Sequence, residues 1–184
     1  MTEISMLYNY QASPRKGHIE KIYHIFAFLN KNPKLTLYFD PREPLIDPSW
    51  VQGDSVEEFK DQNRDAEDQL PPSQMCPETR GGPISTTVYV DVYHKANKVT
   101  SHGHTGFIIL LNRATIIWYN KRHNTVETST FSSDFIADKS CVEHITALCF
   151  KLRMLGIPVM DSAKILCDNE SVVKNSFILS STLS

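Results

Sequence analysis

The sequence predicts an α/β protein built on a mixed sheet in the order β-β-β-α-β-α. A helix–strand segment and an acidic connector precede it. Three observations carry this. Apolar and polar residues alternate with period two near 85–93, 104–111 and 114–120, the spacing of half-buried strands. Apolar residues then recur at helical spacing over about 131–155. Last, "AKILCDNESVV" is a short apolar run that passes into a second helical pattern.

The first expected element is a helix over about 14–31. Ser13 can cap it and Pro14 suits its first turn, while Ile19, Ile22, Ile25, Phe26 and Leu29 form its apolar stripe. "NKNPK" ends it, and "LTLYFD" (35–40) reads as a short strand. Residues 41–83 are rich in proline and charge with little to bury, the composition of a flexible linker, with a short helix around 55–64. The connections "HKANKVTSHG" and "NRA" are short enough to make the next three strands an antiparallel meander. The long helix presents Phe135, Val142, Ile145, Cys149 and Leu152 as its stripe, with Leu148 and Leu155 beside it, and "GIPV" stops it. A strand reached through that helix lies parallel to an earlier strand, by a right-handed crossover.

Composition narrows the function classes. The formal net charge of −2 is uneven: residues 40–83 carry eleven Asp/Glu against four Lys/Arg, a net −7, so the rest of the chain carries +5. The parts expected to fold are mildly basic, which permits contact with a phosphate backbone. The four cysteines form no CxxC pair, and three lie in apolar runs, which reads as free thiols in a reducing compartment. No signal-peptide core opens the chain and no run reaches the roughly 18 apolar residues of a membrane span. The expectation is an intracellular protein of the cytoplasm or nucleus, not secreted and without a membrane partner.

One residue is out of keeping with its surroundings. Asp91 stands in "VYVDVYH", where Val88, Val90 and Val92 share one face and Tyr89, Asp91 and Tyr93 the other. A carboxylate near a packed sheet requires a cation or hydrogen-bond donors. Asp134 is expected in the first turn of the long helix, and Asp168 at the end of the fourth strand. If that strand pairs with the first, the three carboxylates gather, and a divalent ion with oxygen ligands relieves their repulsion. The plainer alternatives stay open: Asp at a strand end or helix start serves as turn-former or N-cap, and Asp91 at a solvent-facing edge needs no partner. His94, His102 and His104 form an H-x-H-containing cluster without a Cys or acidic partner at zinc-ligand spacing, and are read as ordinary polar residues. Trp118 and Tyr119, near Lys121 and Arg122, could stack on nucleic acid, but Trp118 is read rather as a core residue, Asn169 as the cap of the last helix, and Cys141 and Cys149 as buried.

The segments "VYVDVYHKAN", "HTGFIILLNRATIIWYNKRHNTVETSTFSSDFIA" and "ILCDNESVVKN" together resemble the ribonuclease H domain of copia-type retrotransposon polyproteins. Thr105–Gly106, Ile117–Trp118, Lys121–Arg122, Ser129–Thr130 and Asp168–Asn169 fall in register with that family's motifs. The upstream "ASPRKGHIEKIYHIFAFLNKNPKLTLYFD" is similar to the segment joining the reverse transcriptase thumb to ribonuclease H. The resemblance implies residues 1–40 as a thumb/connection remnant, 41–83 as linker and 84–184 as a ribonuclease H-like domain. It implies two-metal hydrolysis of RNA in RNA–DNA hybrids, with Mg²⁺ (or Mn²⁺) on Asp91, Asp134 and Asp168 as metal-binding catalytic residues. Lys121, Arg122 and Asn169 are the implied nucleic-acid contacts, and a reverse transcriptase polymerase domain is an implied partner.

The departures from the pattern are equally definite. Asp134 replaces the usual Glu, one methylene shorter, and Tyr93 stands where a second acid is common. Asp138 takes an inward helix position, no Asp–Asp pair of a polymerase palm occurs, and no counterpart of the family's last acidic element precedes Ser184. The expectation is a C-terminally truncated polyprotein fragment, whose alternative is an inactive remnant with at most weak nucleic-acid or protein binding.

Overall fold

The alternating segments pair into one four-stranded sheet. The computed structural model describes residues 4, 7–8, 10–50, 76–94, 101–159 and 162–176. In chain order the elements are helix α1 (Lys16–Lys31), a 3-10 turn at Pro48–Trp50, strands β1 (Thr86–Tyr93), β2 (His104–Leu111) and β3 (Ala114–Arg122), helix α2 (Thr130–Met154), strand β4 (Lys164–Cys167) and helix α3 (Glu170–Ser176). The strand order is β3-β2-β1-β4. β1–β2 and β2–β3 are antiparallel, and β4 returns parallel to β1 with Val90 opposite Cys167. The molecule is thus α/β with a mixed sheet.

Period two decides which side chains meet α2. Val88 and Val90 of β1 and Phe107 and Ile109 of β2 are buried against Ala137, Cys141, Ile145 and Cys149. Burying such side chains contributes roughly 1.5–3 kcal/mol each. Tyr119 joins them from β3, its ring stacked on Phe107 at 4.5 Å and tilted against His144 at 4.8 Å. Trp118, expected in the core, lies on the other face and is half exposed. The register leaves no other outcome, because Tyr119 faces α2 and its neighbour must point away.

The buried stripe of α2 runs Ser133, Ala137, Cys141, Ile145, Cys149, Leu152. Phe135, Val142 and Leu155, expected inside, are exposed. Small residues at four-residue spacing let the helix approach the sheet closely, and the larger apolar residues flank that contact. Ser129 caps the helix, its Oγ accepting from Ser132 N–H at 3.1 Å. At the other end Gly156 takes φ +74°, its N–H donating to Arg153 C=O while Ile157 N–H reaches Leu152 C=O, both at 2.9 Å. That pair of bonds is a Schellman stop.

The N-terminal part departs further from expectation. α1 begins at Lys16 rather than Pro14, with Arg15 and not Ser13 at the N-cap, its backbone N–H donating to His18 Nδ1 at 3.1 Å. Residues 35–40 form no strand: Leu35, Leu37, Tyr38 and Phe39 are exposed and no sheet edge pairs with them. The expected 55–64 helix and most of the 41–83 linker fall outside the described residues. Asp40–Glu43 lie against the β2–β3 turn, where Asn112 Nδ2 donates to Pro41 C=O and Arg113 Nε to Glu43 C=O, both at 2.7 Å. Among the described residues no helix is long and apolar enough to cross a membrane.

Candidate functional site

The end of β4 and the start of α2 enclose a cleft of about 430 Å³. Asp134, Asp168, Asn169 and His94 line it, with Thr130, Ser171 and others. Asp168 directly follows β4, and Asn169 caps α3, its Oδ1 accepting from Ser171 N–H at 3.0 Å and Val172 N–H at 3.4 Å. The Asn169 amide nitrogen donates across the cleft to Asp134 Oδ2 at 2.6 Å. Asn169 is therefore engaged at both ends of its amide, and it ties the two segments that carry the acids. Asp134 sits on the second turn of α2, not the first, because the helix starts at Thr130.

Electrostatics at Asp134 report who its neighbours are. Burial pushes its carboxyl above the ordinary range; the Asn169 hydrogen bond opposes this, the charges of Asp168 and Asp91 add to the rise, and His94 lowers it. Asp91 thus acts on Asp134 through charge. It does not line the cleft. On β1 it alternates with the inward Val90 and Val92 and shares the exposed face with Tyr89 and Tyr93, opposite Gly106 on β2. Asp134 and Asp168 are brought together; Asp91 stands on the adjoining strand with its side chain turned to the other face.

Two polar residues, one lining the cleft and one a helical turn beyond Asp134, had weak signals in the sequence. His94 Nδ1 lies 2.8 Å from Ser133 Oγ, which fixes the imidazole at the cleft wall. Asp138, one turn after Asp134, has a buried Oδ1 without a hydrogen-bond partner, and burial raises its carboxyl. Its misfit in an apolar stripe was the visible signal. Burial, then Asp138, then Cys167, push the Cys141 thiol up to about 12, so this residue is no nucleophile. All four cysteines are free.

The remaining sequence candidates disperse. Lys121 and Arg122 are exposed at the end of β3, and their register partners Thr105 and His104 assign them to opposite faces of the sheet. His102 bonds to Thr125 C=O at 3.0 Å and His104 meets Asn120 Oδ1 at 3.4 Å, so the three histidines have separate partners. The oxygen-only pair in the cleft is the donor type Mg²⁺ accepts. Among the described residues, as the side chains stand, no three His, Cys, Asp or Glu are placed to share a metal ion. No protein-family model, curated protein or solved structure matches the chain.

Proposed function

We propose that the chain is a retroelement-derived, ribonuclease H-like domain whose carboxylate cleft acts on the RNA strand of RNA–DNA hybrids, with activity reduced by the disposition of Asp91. The observation that carries the reading is the hydrogen bond between Asp134 and Asn169 beside Asp168. It brings a helix carboxylate and the Asp–Asn pair, far apart in the chain, into one open cleft. The parallel β1–β4 pairing adds Asp91 on the adjoining strand. These are the elements the resemblance to copia-type ribonuclease H calls for.

Mg²⁺ commonly binds through one or two carboxylates and keeps several waters, so Asp134 and Asp168 are the residues that would hold a largely hydrated ion. When bound, such ions supply an activated water and stabilise the leaving oxygen. The chain's own residues do the rest. Asn169 holds Asp134 at the cleft wall, His94 is held beside it by Ser133, and Lys121 and Arg122 offer charge to a phosphate backbone.

A second reading, a non-catalytic copy of the same fold, draws on the outward direction of Asp91. One assay separates the two. The purified chain is incubated with end-labelled RNA–DNA hybrid and Mg²⁺ or Mn²⁺, beside Asp91→Asn, Asp134→Asn and Asp168→Asn. The nuclease reading expects slow cleavage that falls on the order of a hundredfold in the Asp134 and Asp168 variants. Cleavage no faster than in those variants leaves the non-catalytic copy.

A further inference from the structure

Among the described residues, two apolar surfaces stand largely exposed. The first is the sheet face turned away from α2. Tyr89, Ile108 and Trp118 form one row across three strands, Asp91, Gly106 and Asn120 the next, and Tyr93, His104 and Arg122 the third. Tyr89, Tyr93, Ile108, Ile116 and Trp118 are all substantially exposed on it, Trp118 at 51%. The second is the stripe Ile19, Ile22, Phe26 and Leu29 of α1, which contains no buried residue and leaves Phe26 64% exposed. A helix of about sixteen residues is marginal in water on its own and draws its stability from burying such a stripe.

We infer that α1 is the cover of this open sheet face and docks on it within the same chain. The chain is already attached at the end of the sheet that carries this face. Asp40–Glu43 are held by Asn112 and Arg113 at the turn joining β2 to β3, the strands that carry Ile108, Ile116 and Trp118. The docked helix extends this contact rather than opening a new one. The eight residues between Lys31 and Asp40 reach about 26 Å when extended, and α1 is about 24 Å long. Strands of eight or nine residues are about as long as the helix, so α1 can lie along them with its stripe inward.

Size argues against a second copy as the occupant. Five partly exposed side chains interrupted by Asp91, Asn120 and Arg122 make a small apolar patch against the about 800 Å² per partner that a stable dimer buries. The outer groove of α2, lined by Val142, Ala147 and Phe150, is the competing surface within the chain. α2 packs on β1 and β2 from the opposite side of the sheet, so its outer groove is separated from the open face by the helix and the sheet. Docking places α1 over the row that holds Asp91, so the open face and Asp91 are covered or uncovered together. The inference rests on these surfaces and not on the nuclease reading.

The test uses the full chain carrying Trp50→Phe, which leaves Trp118 as the sole tryptophan. Acrylamide quenching is compared between this chain and versions also carrying Ile22→Asp or Phe26→Asp. Docking predicts that either substitution raises the quenching constant at least twofold, and that shielding in the parent persists over about a hundredfold dilution. In a second arm, amide exchange of α1 is followed in Ile108→Glu and Val142→Glu. Docking predicts about tenfold faster exchange of α1 in the first and no change in the second. Unchanged quenching, shielding lost on dilution (a second copy), or sensitivity to Val142→Glu alone each overturns the proposal.

Discussion

His123 is nearly inaccessible, its Nε2 2.6 Å from Thr105 Oγ1 and its Nδ1 buried without a hydrogen-bond partner. His104 is buried as well, with Nε2 likewise unpartnered. Burial, the leading cause in both, holds these imidazoles below their ordinary range. Asn120 pulls against this at His104, and at His123 Glu127 does so while His104, His102 and His94 reinforce the fall. A folded-state value below the unfolded 6.5 means the unfolded chain binds the extra proton first. Stability is then complete above that value and is lost as pH falls through and below it. Urea unfolding at pH 7.5 and pH 5 is expected to show the lower midpoint at pH 5, and His123→Gln to reduce the difference. Asp134 has the opposite sign. Its carboxyl is raised, so its ionisation is a cost at neutral pH that disappears as pH falls toward 3.8. Asp134→Asn is expected to raise the thermal midpoint modestly at pH 7 and to remove any increment produced by millimolar Mg²⁺. A midpoint that responds to Mg²⁺ equally in both proteins assigns that ion elsewhere.

At the scale of elements, α2 holds the fold together and its ends show how. A Cβ on Gly156 would come within 2.8 Å of the Glu78 carbonyl oxygen, and its φ of +74° is unfavourable for any other residue. Gly156→Ala is therefore expected to cost about 1–3 kcal/mol, read as a lower denaturation midpoint with an unchanged slope. Ile145→Ala, in the middle of the buried stripe, should cost about 2–5 kcal/mol by leaving a cavity. These elements were legible in the sequence because local signals and tertiary packing agree there. Period two marked β1, β2 and β3, helical spacing ended by "GIPV" marked α2, and Asn169 announced α3. The face of α2 was less legible. Phe135 and Val142 outweigh Ala137 and Ser133 in hydropathy, yet close approach to the sheet selects the smaller pair. Residues 35–40 have strand character without a partner edge, which a sequence does not reveal. At the site, Asp134, Asp168 and Asn169 could be grouped from topology alone. The face on which Asp91 projects could also be read, since Val88, Val90 and Val92 claim the core side and leave Asp91 the other.

The whole molecule is a sheet with one face closed by α2 and one face open, plus an N-terminal segment attached at a corner. That attachment is polar. Arg113 donates to Glu43 C=O and lies 3.8 Å from Asp40 Oδ2, and Arg42 grips the same carboxylate. The Arg42 hydrogen bonds, chiefly, hold the Asp40 carboxyl down at about 2. With the folded value below the unfolded one, whatever this pair contributes within the segment is present above about pH 4 and is lost as pH falls through about 2. Its bonds lie at the surface, where each ion pair contributes little and several backbone acceptors share the work. Removing one donor should therefore loosen the segment without unfolding the sheet. Arg113→Ala is expected to leave the stability of the sheet unchanged within about 0.5 kcal/mol. The same substitution should speed tryptic cleavage after Arg42 several-fold, followed by mass spectrometry of the fragments. Equal cleavage rates in the two proteins would mean that the Asn112 and backbone contacts hold Asp40–Glu43 without help from the guanidinium.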